Sequence, residues 1–387
     1  MPTKTWTLTN FDDQTSLPEL TVGPKDVSWA AKWFSVKKHT LQAGLSAGVD
    51  VVEIDNGAFR FAVLPTRGMG IWKAWLGDLE IGWRSPIKGP VHPQFVNLAE
   101  PSGLGWLDGF DELLVRCGLE SNGAPEFDAA GRLKYPLHGR IANRPAHRVD
   151  LAIDDQSGEI TLTGVVDESR FHFQKLRLTS TLKTRPGEAG VRIVDAVTNL
   201  SGNPAEMQLL YHINVGQPLL DAGSQVVAPV KKLVPRNPHA AEGLANWDRY
   251  ASEQAGAEEQ VYFFALAADS DGRTQVLLKN AKATQGVSLY YSPQQLPCFA
   301  LWKNTVAGAD GYVTGIEPAT NFPNPRSFEK QAGRVVPLAP GETVRFELAL
   351  EIHGDFNSVQ AAEAAIAKLR AGVKPEVHSQ PTADWTS

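Results

Sequence analysis

The sequence predicts an all-β protein, a large antiparallel β-sandwich with one short helix near its C-terminus. Three observations carry that expectation. Val344, Phe346, Leu348, Leu350 and Ile352 fall on one face of a segment whose other face takes Arg345, Glu347 and Glu351, the period of a half-buried strand. Leu176, Leu178 and Leu182 alternate in the same way within KLRLTSTLKT, ahead of the turn RPGEAG and the return segment VRIVDAVTNL. The 34 Gly and 26 Pro are spread along the whole chain, so its strands must be short and joined by tight turns.

Upstream, HRVDLAIDD and EITLTGVVD flank a turn at Gln156-Ser157-Gly158 and make a further hairpin. A meander of strands about eight to ten residues long is the pattern of a sandwich. The best helical signal is SVQAAEAAIAKLRAG. Val359, Ala362, Ile366 and Leu369 recur there at helical spacing, Asn357 or Ser358 stands ready to cap, and Gly372 closes the segment. This helix is expected to pack on a sheet edge. No internal repeat or low-complexity linker divides the chain, which reads as one domain over 1–387. Residues 1–44 form N-terminal strands or an extension, 45–352 the sandwich core, and 353–387 the helix and tail. The tail KPEVHSQPTADWTS is polar and contains proline, so it is expected to be loosely held.

Hydrophobic residues make up 42% of the chain and charged residues 21%, enough for a substantial core. The net charge of −6 arises from 37 basic and 43 acidic residues intermixed along the sequence. No basic cluster could neutralise several phosphates, which argues against nucleic acid as a partner. Cys117 and Cys298 show no CxxC spacing and are read as buried free thiols, with a single bridge left open. MPTKTWTLTNFDDQ lacks the apolar stretch of a secretory signal, and no uncharged apolar run would span a bilayer. A cytoplasmic location is expected, with no membrane partner.

Several segments hold more polar and aromatic residues than sandwich strands require. In FAVLPTRGMG an apolar strand runs into Arg67. KYPLHGRIANRP contains His138-Gly139-Arg140. In LLYHINVGQP, His212 and Asn214 follow an apolar run, and in YVTGIEPATNFPNP an apolar strand is interrupted by Glu317 before Pro318. Singly, each has an ordinary explanation as an ion pair, a turn residue or a solvated side chain.

Together they resemble a known pattern. Pro136-Leu137-His138-Gly139 is similar to the PLHG segment of the aldose 1-epimerases, the galactose mutarotase-like superfamily. Tyr211-His212-Ile213-Asn214 resembles that family's second histidine strand, and Gly315-Ile316-Glu317-Pro318 its glutamate strand. The resemblance covers roughly residues 45 to 352. The longer stretches LDGFDELLVRCGLESNG, YHINVGQPLL and IEPATNFPNPRS depart from the galactose-specific enzymes and look like an uncharacterised branch.

The resemblance implies a supersandwich fold and a mutarotase acting at the anomeric carbon of a free sugar. It implies Glu317 as general base and His212 as general acid, with His138 bonding the sugar near its ring oxygen and Arg67 contacting neighbouring hydroxyls. A carboxylate and an imidazole suit the work because burial can tune both toward neutral pH, and neither metal nor cofactor is required. Sugars also want flat apolar platforms and planar polar readers. Trp302, beside Lys303 in FALWKN, is the preferred platform, ahead of Trp72, Trp83 and Trp106. Lys303, Asn214, Asn321 and Arg326 are further candidate contacts, and Arg326 would grip a carboxylate on an acidic sugar.

Two rival readings stand beside this one. His92, Glu112, His138 and His212 are the residue types of a metal-assisted sugar isomerase or epimerase, although none shows HxH or HExxH spacing. The same scaffold could also serve as a non-catalytic carbohydrate-binding protein. In every reading the partner is a small-molecule sugar, and a homodimer stays open.

Overall fold

The computed structural model describes residues 3–28 and 33–387. Its strands form a ten-stranded and a fourteen-stranded sheet packed face to face. The smaller sheet contains the meander read from the sequence: Arg148–Asp154, Ile160–Ser169, Lys175–Thr184 and Gly190–Asn199 pair in succession. The late strand Thr343–His353 then joins Gly190–Asn199. The N-terminal stretch feeds both sheets. Thr3–Asn10 pairs with Arg148–Asp154, whereas Leu20–Val22 and Ser35–Thr40 extend the larger sheet.

Period-two alternation sets the layers. Leu162, Leu178, Ile193 and Leu350 of the smaller sheet meet Leu209, Tyr211, Ile213, Leu301 and Ile316 of the larger in one continuous core. Each such side chain contributes about 1.5–3 kcal/mol by leaving water, which sets the register of every strand. Within this apolar layer lies a buried polar network. The Arg116 guanidinium bonds the Asp195 carboxylate of the opposite sheet and donates to Ser180 Oγ at 2.8 Å, while Tyr211 Oη donates to Asp195 at 2.9 Å.

The larger sheet carries a second apolar layer on its outer face. Val115, Cys117, Leu210, Phe263, Cys298, Ala300, Val313 and Ala319 supply the sheet side of it, and Trp83, Trp106, Phe110 and Phe322 cover them. Both cysteines are buried free thiols.

At the C-terminus the helix runs over Phe356–Arg370 and buries Val359, Ala362 and Ile366 against Leu277 and Val227 near the edge of the smaller sheet. Its cap is Asp355, not Asn357 or Ser358. The Asp355 side chain accepts from Ser358 N–H at 2.9 Å, because extended backbone at Asp355 leaves its carboxylate facing the first turn. The tail is also held more firmly than its composition implies. Glu376–Val377 pairs in parallel with Lys232 and Leu233, and Trp385 packs on Phe322 with ring centroids 4.6 Å apart. One tryptophan outweighs the polar residues around it. Among the described residues, no helix is long and apolar enough to cross a membrane.

Candidate active site

Four neighbouring strands at the middle of the larger sheet build the site: Leu114–Leu119, Ala205–Gly216, Val313–Ala319 and Cys298–Asn304, in that order. Ile213 opposes Ile316, so His212 and Glu317 are the next cross-strand neighbours and share the outer face. Ala300 opposes Glu317, and Trp302 opposes Gly315. The His212 Nε2 and Glu317 Oε1 atoms lie 3.3 Å apart.

Gly315 creates the room for this pair. A Cβ there would stand 2.2 Å from Glu317 Oε1 and 3.1 Å from His212 Cε1. Any side chain would displace the carboxylate.

Asn214, two residues along the same face, orients the imidazole. Its Nδ2 donates to the carbonyls of Glu112 at 3.0 Å and His212 at 3.2 Å, which turns Oδ1 toward His212 Nδ1 at 2.5 Å. An amide oxygen only accepts, so Nδ1 carries the proton and the Nε2 lone pair faces Glu317. His138 is fixed similarly: its Nδ1 donates to the Asn122 carbonyl at 2.9 Å, leaving Nε2 as an acceptor. The His138 and His212 rings sit edge to face, 5.3 Å between centroids.

Aromatic walls surround the two imidazoles. Trp106 stands 4.6 Å from His138, Phe110 5.2 Å from His212, and Trp302 5.4 Å from His212. His138 and Trp302 are half-buried, whereas His212 and Glu317 lie beneath them at 5% and 2% exposure. The arrangement is a shallow aromatic bowl with an acid–base pair at its floor. Glu317 Oε1 is buried and accepts no hydrogen bond.

That enclosure sets the charges. Burial, with the Glu259 carboxylate adding to it, holds the Glu317 carboxyl well above the ordinary carboxylate range. Burial pushes His212 down to about 3, helped by the neighbouring His138, and pushes His138 down to about 4. Both shifts favour the uncharged form of each group, the carboxylic acid of Glu317 and the neutral imidazole of His212.

The structure brings Glu317, His212, His138, Asn214 and Trp302 together. It does not bring the other expected contacts to them. Arg67 is 1% exposed and consumed by the fold: it pairs with Glu112 and donates to the carbonyls of Val91 and Gly109 and to Asn143 Oδ1. It secures the segment leading into Phe110 and Glu112 rather than reaching a sugar. Lys303 points to the opposite face from Trp302, as strand alternation demands, and donates to the carbonyls of Asn246 and Arg249. Burial lowers it to about 8. Asn321 exchanges reciprocal amide bonds with Asn122 at 2.8 and 2.9 Å, which steadies the residue that holds His138. Arg326 is committed to the Glu120 carbonyl and to Glu206. Of the metal-ligand types, Glu112 faces Arg67 and His92 Nδ1 accepts from Gln94 N–H. Among the described residues, no group of three or more His, Cys, Asp or Glu converges as a metal set would.

Sequence reasoning missed Phe110 and did not see the role of Gly315; Trp106, a weaker platform candidate, is 1% exposed and packs behind His138. The glycine was detectable, since it precedes Glu317 by two positions and so shares its face. Glu259 was also missed. It accepts the Trp302 indole N–H at 2.7 Å and pairs with Arg236 at 2.8 Å, fixing the half-exposed ring.

Comparison with solved structures defines the class. A protein from Klebsiella pneumoniae subsp. pneumoniae, provisionally described as an aldose 1-epimerase, superposes with a TM-score of 0.95 at 33% identity, covering 98% of this chain and 99% of its own. A galactose mutarotase-like protein from Clostridium acetobutylicum has a TM-score of 0.56 at 15% identity over 82% of this chain and 98% of its own. An Escherichia coli K12 protein, also provisionally described as an aldose 1-epimerase, has a TM-score of 0.51 at 13% identity over 79% and 100%. The fold is that of the galactose mutarotase-like proteins. Within that class the chain belongs to the family described as a domain of unknown function (DUF4432), whose profile matches residues 46–352. Comparison with curated proteins gives no match.

Proposed function

We propose that this protein is a mutarotase, an aldose 1-epimerase-type isomerase that interconverts the anomers of a free sugar. The observation that supports it most is the contact of His212 Nε2 with Glu317 Oε1 at 3.3 Å on the floor of an aromatic bowl. The anomeric and ring oxygens of a sugar are both bonded to C1, so one compact acid–base pair can serve both.

The favoured protonation starts the cycle from the side opposite to that expected from the family resemblance. Glu317, as the acid, protonates the ring oxygen while His212 Nε2 takes the proton of the C1 hydroxyl. The C1–O5 bond breaks, C1=O forms, and the pair becomes carboxylate and imidazolium. Rotation about C1–C2 presents the other carbonyl face. His212 then returns its proton to the aldehyde oxygen as Glu317 takes back the proton of the attacking hydroxyl. The pair regains its starting state. Half-buried Trp302 offers an apolar face to the ring, and neutral His138 offers Nε2 to a sugar hydroxyl.

Anomer-exchange NMR across free aldoses, ketoses and uronic acids tests this, with wild type beside Glu317→Gln. At least one sugar should exchange faster with wild type, and the variant should lose about 10²–10⁴-fold of that rate. Equal rates for the two proteins with every sugar would sink the reading.

A further inference from the structure

Away from the acid–base pair, the molecule holds a cavity of about 400 Å³ bordered by Arg140, Arg144 and Arg170. It lies between the turn that carries His138-Gly139-Arg140 and the tip of the hairpin joining Ile160–Ser169 to Lys175–Thr184. Two carboxylates also line it, and both are engaged. Glu120 faces Arg140 at 3.4 Å. Glu168, on the floor, accepts the backbone N–H groups of Leu119 at 3.0 Å and Glu120 at 2.9 Å, while burial raises its carboxyl above the ordinary range.

Arg144 and Arg170 differ from these. Both are exposed, and neither has a carboxylate partner among the described residues. Arg170 lies over the Phe173 ring at 4.1 Å, which holds its planar fork at the cavity mouth. Two uncommitted guanidinium groups thus converge on one hollow in a molecule whose net charge is −6. Guanidinium forks match oxyanions by bidentate, charge-assisted hydrogen bonds, and a pair of them offsets a dianion better than a monoanion. The volume exceeds what a bare phosphate fills, and Phe173 gives an organic portion an apolar face to rest on.

We propose that this pocket binds a small phosphate monoester, with Arg144 and Arg170 gripping the phosphoryl oxygens. The site is independent of the mutarotase reading, since it shares no side chain with the Glu317–His212 bowl.

Isothermal titration of the full chain with glycerol 3-phosphate tests it, comparing wild type with an Arg144→Gln/Arg170→Gln double variant. Both arginines are exposed, so the double variant should remain folded. Saturable one-to-one binding to wild type is expected, weakened at least about tenfold in the double variant and kept in Glu317→Gln. Absence of saturation with wild type overturns the proposal. So does equal affinity for the double variant, or equal affinity of wild type for acetate, which would show no preference for the phosphate dianion.

Discussion

Glu317 is held where a surface glutamate would be ionised. Its folded pKa lies above its unfolded value of about 4.5, so the stability it allows is fully present below that pH and is lost as pH rises toward the folded value. Glu317→Gln should therefore melt higher than wild type at pH 7 even as the proposed anomer exchange slows, and the difference should vanish near pH 4. Thermal melts at the two pH values check this. Gly315→Ala tests the other half of the pair's geometry. Its Cβ would stand 2.2 Å from Oε1, so the carboxylate must move, and the rate should fall about 10²-fold or more with the fold retained. Steady-state kinetics beside a circular dichroism spectrum read both outcomes. At this scale the sequence was legible where strand position decides. Glu317, His212, Asn214 and Trp302 owe their meeting to alternation along paired strands. It was illegible for Arg67, Arg326 and Asn321, because each is captured by carbonyls or amides distant in the chain, and no local pattern announces such partners.

At the scale of the element, period two is the most informative signal in the chain. It yields the meander from Arg148 to Asn199 and separates Trp302 from Lys303, which cannot both face a sugar. The wall-forming loop gave no such signal. Trp106 and Phe110 are positioned by the short 3-10 turn Gly105–Gly109 and by Arg67 behind it, a tertiary arrangement without periodicity. The tail shows the same limit in another form. Trp385 packs on Phe322 beneath the Lys232 ammonium, 4.7 Å above its ring. Trp385→Ala should cost about 2 kcal/mol, less than a fully buried ring, and loosen the Glu376–Val377 pairing. Chemical denaturation with hydrogen exchange at the Lys232–Leu233 amides measures both effects.

Across the whole molecule, the two sheets are joined by apolar area and pinned by buried polar ties, among them Arg116–Asp195. Asp195→Ala would leave the Arg116 guanidinium, fully buried, without its counter-charge, at a cost of about 3–5 kcal/mol seen in urea midpoints. The buried histidines set the acid limit. His212 and His138 stay neutral when folded, to about 3 and about 4, whereas the unfolded chain takes up protons from the usual 6.5 downward. Stability should therefore fall as pH drops from 6.5 toward 3, and a double His138→Gln/His212→Gln variant should show a shallower decline across that window. The placement of the bowl has a longer consequence. Its reactive floor belongs to paired strands, whereas Trp106 and Phe110 arrive on a connecting segment that no sheet constrains. Substitutions in that segment can reshape the wall over Glu317 and His212 while the paired strands that hold the two side chains stay as they are.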